Sequence, residues 1–181
     1  MELKDSMILA IKLKNFKSYR DEAEFSFYAL PNSELSGNYA EMTLEGGGKI
    51  KALHSAVILG ANASGKSNVV WAFRALSYLV GKSRTFERNH KINAYDAFAF
   101  DERFEKMPVN MSVELMVKGR KYIYEIEYND VVHQEILYVQ YGGMIPTIVF
   151  KRDVREGAPL HHIMICEGWQ HPIPEWASME I

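Results

Sequence analysis

The residues whose types and spacing suggest chemistry run from Gly60 to Ser67, in the stretch GANASGKS. Their spacing, G-x-x-x-x-G-K-S, is that of a phosphate-binding loop, the P-loop or Walker A motif. Gly60 and Gly65 carry no Cβ, so several backbone N–H groups can approach a polyphosphate closely. Lys66 is expected to reach the β- and γ-phosphates of a bound nucleotide, and the Ser67 hydroxyl is expected to ligate Mg²⁺.

The elements on either side of the motif are those that a P-loop requires. The short apolar run at 54–60, HSAVILG, predicts a strand buried on both faces. From Lys66 onward the period changes to that of a helix, and Gly81 is expected to stop it. Its predicted buried face consists of Val69, Phe73, Leu76 and Val80.

A glycine-rich turn that binds nothing is the alternative to a nucleotide site. The strand–loop–helix context favours nucleotide binding, because it places the helix N-terminus and its free N–H groups at the phosphates. The predicted nucleotide-binding residues are Gly60, Ala61, Asn62, Ala63, Ser64, Gly65, Lys66, Ser67 and Asn68.

The rest of the chain is mainly β-structure. Strands are predicted at 7–13 and 23–29 as a hairpin, with 31–50 as a loop containing at most a short strand at 41–44. Residues 82–108 are irregular. An antiparallel meander follows, with strands at 110–117, 121–128, 132–140, 145–152 and 160–166. The fold class is therefore α/β in the mixed, α+β sense, with one strand–loop–helix unit among antiparallel strands.

Composition indicates one well-buried soluble domain over 1–181. The chain has 48% hydrophobic and 24% charged residues and a formal net charge of −2, so DNA is a permitted partner but is not indicated. The single Cys166 excludes an internal disulfide and favours a reducing compartment. No secretory or membrane-spanning pattern is visible, so we expect a cytoplasmic protein without a membrane partner.

The stretch GANASGKSN, 60–68, resembles the P-loop of ABC-type ATPases of the RecF/SMC kind. It is most similar to the bacterial AAA ATPases grouped with abortive-infection, anti-phage proteins. Residues 11–27 are similar to the opening hairpin of that family, and 96–139 are similar to its antiparallel β-subdomain. The stretch IVFKRD, 148–153, is similar to one that commonly follows the subdomain.

The resemblance implies the first part of an ABC-type ATPase head with ATP and Mg²⁺ in its pocket. It also implies that Asn62 lies on the γ-phosphate side, and that the turn at 15–20, NFKSYR, lies near the nucleotide. In such proteins the heads dimerise or act with a partner effector protein. The biological role that the resemblance implies is anti-phage defence.

Hydrolysis needs a Walker B carboxylate and a group that orients water. The serine-glycine signature segment, the Asp-Glu strand and the histidine switch of the resembled family are not recognisable after the meander, so the domain is expected to be an incomplete head. The stretch AFAFDE, 97–102, offers Asp101 as a Walker B residue of a self-contained small P-loop kinase or NTPase. A solvated turn is the favoured interpretation of Asp101. A non-catalytic, nucleotide-responsive binding module is a third hypothesis.

Several other polar residues invite a functional interpretation. Glu135 is a candidate for the Mg²⁺ site, although the outward face of a strand is favoured, and Gln134 is a weak candidate for a Q-loop. A metal site is less favoured than ordinary strand positions for His161, His162, Cys166 and His171. Core packing is favoured over base stacking for Tyr122, Tyr124 and Tyr128.

Overall fold

The computed structural model describes residues 6–30, 37–82, 91–153 and 164–165. It contains the helices α1 (Lys66–Lys82) and α2 (Glu102–Glu105). The strands are β1 (Ser6–Lys14), β2 (Ala23–Ser26), β3 (Tyr39–Thr43), β4 (Lys49–Leu53), β5 (Val109–Val117), β6 (Arg120–Tyr128), β7 (Val132–Gln140), β8 (Thr147–Asp153) and β9 (Met164–Ile165).

Seven strands form one antiparallel sheet in the order β2-β1-β5-β6-β7-β8-β9. The predicted hairpin of β1 and β2 and the predicted meander from β5 to β8 are confirmed. Of the strand expected at 160–166, only 164–165 are described, and they form β9. The connection between β5 and β6 is tight because Lys118 and Gly119 both take positive φ, at 49° and 79°. Two such residues give a turn whose twist matches that of the flanking strands.

The prediction of a long loop at 31–50 is partly wrong, because β3 and β4 pair as a hairpin of their own. The short strand expected at 41–44 corresponds to β3, which begins two residues earlier and ends one residue earlier, and β4 is not predicted. Gly46, Gly47 and Gly48 all take positive φ, so this glycine run makes a turn between two strands. The hairpin covers a small core cluster that includes Leu9 and Met116.

The helix α1 packs against the main sheet, and its buried side chains share one core cluster with those of β1, β5 and β6. The buried residues of α1 are Val69, Ala72, Ala75, Leu76 and Leu79. The predicted face is right at Val69 and Leu76 but wrong at Val80, which is 47% exposed. The buried side of the helix contains Ala72 and Ala75, and Leu79 takes the buried position predicted for Val80. Gly81 lies within the last turn of α1.

The tyrosines of β6 take the predicted place in the core. Tyr124 and Tyr128 are buried, and Tyr122 packs against them at the edge of the same cluster. Burial raises the pKa of the Tyr128 hydroxyl. The buried rings of Tyr124 and Tyr128 are not available for stacking on a nucleobase.

The predicted buried strand at 54–60 is wrong. This stretch is extended without regular structure, no described strand pairs with it, and Val57 and Leu59 are 82% and 86% exposed. A strand forms only where neighbouring backbone groups complete its hydrogen bonds, and an apolar run of this kind is suited to a central position with both faces covered. The sequence of this stretch is therefore typical of a buried strand, but in the described part of the chain the stretch is exposed to solvent.

No helix among the described residues is long and apolar enough to cross a membrane.

Candidate functional site: a phosphate-binding loop

The predicted P-loop leads directly into α1, which begins at Lys66. The loop turns through two left-handed residues, Ala63 with φ 61° and Gly65 with φ 89°. The N–H of Ser64 donates to the carbonyl of Ala61 at 3.3 Å, and the N–H of Asn68 donates to the carbonyl of Gly65 at 2.9 Å. A non-glycine residue in the left-handed region is strained, and such strain commonly persists where a loop must present its backbone to a ligand.

Both glycines of the motif are required by close approach. A Cβ on Gly60 would lie 2.8 Å from the Ser64 hydroxyl oxygen, and a Cβ on Gly65 would collide with the hydroxyl oxygen of Ser18. The left-handed φ of Gly65 adds a second reason at that position. The sequence predicts a need for glycine at both positions only from the close approach of phosphate. The structure adds contacts within the chain itself.

The Lys66 ammonium lies over the loop. Its Nζ donates to the carbonyls of Gly60 at 2.9 Å and Ala61 at 2.5 Å. An ammonium group has three donors, and phosphate oxygens are stronger acceptors than these carbonyls. The lysine is therefore positioned to exchange carbonyl partners for a phosphate at the mouth of α1.

The turn at 15–20 lies against the P-loop, as the resemblance implies. The Tyr19 hydroxyl donates to the Gly65 carbonyl at 3.1 Å, and the Asn68 side-chain amide donates to the Ser18 hydroxyl at 2.8 Å. Burial raises the pKa of Tyr19, whose ring packs edge-on against Phe25. Asn68 thus fixes the loop to the turn.

A buried asparagine holds a further segment beside the loop. Asn15 is 2% exposed, and its amide Nδ2 donates to the carbonyls of Phe104, Met107 and Pro108 at 2.8–3.1 Å. Its Oδ1 accepts the N–H of Phe98 at 3.2 Å. Asn15 has φ 55°, a left-handed conformation that asparagine tolerates better than most residues. It therefore positions the whole stretch 98–108 relative to the sheet.

Lys17 connects the turn to the same stretch. Its N–H donates to the Asp96 carbonyl at 2.9 Å, and its Nζ forms an ion pair with the Asp96 carboxylate. The ammonium also lies 5.3 Å from the ring centroid of Trp71 on α1. Lys17 thus stands between the P-loop, α1 and residue 96.

These contacts enclose a cavity of about 410 Å³ at the mouth of α1. It brings together part of the predicted set with residues that sequence reasoning missed. Its lining residues are Lys17, Ser18, Ala63, Ser64, Gly65, Lys66, Ser67, Asn68, Asp96, Ala99 and Phe100. Gly60, Ala61 and Asn62 are exposed and do not line it, so the predicted position of Asn62 on the γ-phosphate side stays a prediction.

The sequence does not indicate that residues 96–100 lie beside the P-loop. They are separated from it in the chain by α1 and by residues 83–95, and contacts from Asn15 and Lys17 place them next to it. Asp96 is the one carboxylate that lines the cavity, and it is paired with Lys17.

The structure does not support Asp101 as a Walker B residue. Residues 97–100 form no strand, and Asp101 is the N-cap of α2, where its side chain accepts the N–H of Arg103 at 3.0 Å. The Arg103 guanidinium pairs with it at 2.6 Å, and these hydrogen bonds lower its pKa to about 2. Asp101 does not line the cavity, and it is the partly buried cap of a short helix and not part of a solvated turn, which corrects the favoured interpretation.

Glu135 does not lie on an outward face, which corrects the favoured prediction. It is 3% exposed, accepts the Tyr124 hydroxyl at 2.7 Å and pairs with Arg152 at 2.7 Å. The neighbouring strand supplies Arg152 directly opposite Glu135, which makes the burial of a carboxylate tolerable. Glu135 and Gln134 do not line the P-loop cavity. Gln134 donates to Asp153 at 2.9 Å.

The candidate metal residues His161, His162, Cys166 and His171 lie outside the described residues. Within the part of the chain that the structure describes, no group of three or more His, Cys, Asp or Glu side chains is arranged to hold a metal ion. The oxygen ligands available for a cation at the cavity include the Ser67 hydroxyl and the Asp96 carboxylate, which is paired with Lys17.

Comparison with known protein families gives one match. The family described as "AAA domain, putative AbiEii toxin, Type IV TA system" matches residues 55–165, more than half of the chain. The matched range includes the P-loop, α1 and most of the meander. No curated protein matches the chain.

Proposed function

The chain belongs to the AAA-domain family whose model matches 55–165, and we propose on this basis that it binds ATP with Mg²⁺ at the P-loop. The observation that carries the proposal is the loop itself. Gly60 to Ser67 wraps in front of a 17-residue helix, with Lys66 above the loop and Ser67 at the cavity. The cavity at this loop combines the N-terminus of α1 with the Lys66 ammonium.

The residues present fit Mg-ATP. Gly65 lines the cavity with no Cβ to obstruct it, and the N-terminal turn of α1 offers N–H donors and a partial positive charge. Lys66 would move from the carbonyls of Gly60 and Ala61 to the β- and γ-phosphates. Ser67 would hold the Mg²⁺, which neutralises phosphate charge when bound.

We further propose that this domain is the N-terminal part of an ABC-type head. The support is the exposed stretch 55–60, which has the composition of a central strand but no neighbours among the described strands. Val70 on α1 is also apolar and 62% exposed. Additional strands laid against this stretch would cover these apolar side chains and supply the Walker B carboxylate that the cavity lacks.

Binding without turnover is expected from the cavity as it stands. Its one carboxylate, Asp96, is held by Lys17 and is therefore not free to orient water. Hydrolysis in this proposal requires completion of the head and closure of a second head over the nucleotide. The alternative hypothesis of a non-catalytic, nucleotide-responsive module makes a different prediction. Such a module would not hydrolyse ATP even after a partner is added.

Calorimetry with MgATP tests the binding proposal. Lys66→Ala is expected to weaken binding by at least about tenfold, since a charge-assisted contact is worth about 1.5–3 kcal/mol. Lys14→Ala removes the same charge from an exposed position on β1 and is the matched control. Absence of binding by the folded wild-type chain, or unchanged affinity in Lys66→Ala, would overturn the proposal.

Turnover measurements test the second part. The chain alone is expected to release phosphate at the rate of a blank, and Asp101→Ala is expected to bind ATP as the wild type does. Steady turnover by the isolated chain, abolished in Asp101→Ala, would overturn the incomplete-head proposal and restore the small-enzyme hypothesis.

We also propose that the complete protein acts in anti-phage defence, as an ATP-gated component. The support is the resemblance of GANASGKSN to that class and the family's description as a toxin–antitoxin type. A phage-challenge assay with the native gene and its Lys66→Ala variant tests it, since protection or growth arrest should depend on Lys66.

A further inference from the structure

A second cavity of about 400 Å³ adjoins the P-loop cavity along α1. The two cavities share two lining residues, Lys17 and Asp96, and this ion pair stands at their boundary. We propose that the second cavity receives the nucleobase of the nucleotide whose phosphates lie at the P-loop, with Trp71 as the stacking surface. This proposal rests on the proposed function and specifies the base-binding end of the same site.

The wall of the second cavity is aromatic. Its lining residues are Phe16, Lys17, Trp71, Arg74, Ala75, Tyr78, Asn93, Ala94, Tyr95 and Asp96. Trp71 is 46% exposed, so its indole makes only a partial contribution to the core. A large apolar ring that is left half in solvent beside a phosphate-binding loop is well suited to stack on a planar base.

The cations around Trp71 strengthen this assignment. The Arg74 guanidinium lies 4.6 Å from the indole centroid and the Lys17 ammonium lies 5.3 Å from it. A guanidinium plane stacks on nucleobases as well as on aromatic rings. Trp71 therefore offers an indole ring and Arg74 a guanidinium plane on which a base can stack. The two residues lie about one and two turns after Lys66 on α1.

The other walls provide a fixed frame and a polar edge. The Tyr95 hydroxyl donates to the carbonyls of Glu105 at 2.6 Å and Met107 at 3.0 Å, which fixes its ring at the cavity. Asn93 is exposed at the rim, and an amide side chain offers both a donor and an acceptor to the edge of a base. Because the flat surfaces dominate, a two-ring purine gains more contact than a pyrimidine.

Lys17 links the two ends of the site. In the structure its ammonium is divided between Asp96 and the face of Trp71. A triphosphate in the first cavity places several negative charges beside this ammonium, and a phosphate oxygen competes with Asp96 for it. When Lys17 turns to the phosphates, the face of Trp71 that it covered becomes available to the base. Binding of the phosphates and binding of the base are thus coupled through one side chain.

Affinity measurements with ATP, CTP and tripolyphosphate test the assignment. Trp71→Ala is expected to weaken ATP binding by about 5- to 150-fold, since stacking on an aromatic side chain is worth about 1–3 kcal/mol per base. Tripolyphosphate, which has no base, should bind the variant as it binds the wild type, and ATP should bind the wild type more tightly than CTP. Lys66→Ala should weaken ATP and tripolyphosphate alike.

Val70 provides the matched control. It is a 62% exposed residue of α1 that lines neither cavity, and Val70→Ala is expected to leave ATP affinity unchanged. Phe100 is 81% exposed and lines the first cavity but not the second, so Phe100→Ala tests whether the base lies there instead. If Phe100→Ala weakens ATP binding while Trp71→Ala does not, the base lies on the other side of the loop and the inference is overturned. If the wild type binds neither ATP nor tripolyphosphate, the proposed function itself fails.

Tryptophan fluorescence gives an independent readout. The chain has three tryptophans, at 71, 169 and 176. ATP should quench the emission of the wild type, tripolyphosphate should not, and the quench should disappear in Trp71→Phe, which keeps an aromatic ring of similar shape for folding. A base-dependent quench that persists in Trp71→Phe would overturn the assignment to Trp71.

Discussion

The side-chain amide of Asn68, in the first turn of α1, donates a hydrogen bond of 2.8 Å to the hydroxyl of Ser18. Ser18 belongs to the turn that follows β1, fifty residues earlier in the chain. This contact and the bond from the Tyr19 hydroxyl to the Gly65 carbonyl fix the P-loop to the main sheet. The position of the phosphate site therefore depends on the sheet as well as on the helix.

We expect Asn68→Ala and Ser18→Ala each to lower the free energy of unfolding by about 1 kcal/mol, the typical net value of a partly buried hydrogen bond. The double variant should lose little more than either single one, because both changes remove the same bond. Urea unfolding measures all three. Full additivity would show that the two side chains do not interact.

Gly65→Ala is expected to destabilise the chain by about 1–3 kcal/mol and to abolish MgATP binding, because it combines a left-handed φ of 89° with a collision at Ser18. Gly81→Ala is the matched control, since nothing lies within 4 Å of a Cβ at that position of α1. It should leave binding intact and stabilise the helix by up to about 1 kcal/mol. Equal effects of the two variants would contradict this explanation.

Asn15→Ala removes one buried amide that serves three carbonyls and one N–H group. We expect a loss of about 2–4 kcal/mol in unfolding free energy, because several buried backbone groups lose their partner at once. Hydrogen exchange should report faster opening of 98–108. Asn110→Ala, on β5 and half-buried, removes an amide without these bonds and should have a smaller effect. A variant as stable as the wild type would contradict the positioning role of Asn15.

The Asp101 carboxyl gives a prediction about pH. The side-chain hydrogen bond from Arg103 is the largest cause that lowers its pKa to about 2. Because the folded-state pKa lies below the ordinary value, the capping contribution is present above about pH 4 and is lost as the pH falls toward 2. An NMR titration of the side chain should show a midpoint near 2 that returns toward 4 in Arg103→Ala. A midpoint unchanged by that substitution would contradict the pairing.

The P-loop, α1 and the meander were predictable because their signals are local. Glycine spacing, the change of period at Lys66 and the turn residues around Gly119 each act within a few positions. The second wall of the cavity was not predictable, because Asp96, Ala99 and Phe100 reach the loop only through long-range contacts made by Asn15 and Lys17. The pattern of alternation likewise placed Glu135 outward, since only the opposite strand reveals Arg152.

The exposed stretch 55–60 affects how the isolated chain behaves in solution. No described strand pairs with it, and it exposes the apolar side chains of Val57 and Leu59, a combination that promotes association between molecules. Purified material should scatter light increasingly with concentration, and Leu59→Lys should suppress this without altering the far-UV circular dichroism. The same exposed stretch that favours aggregation of the isolated domain is where we expect a further polypeptide segment to pack.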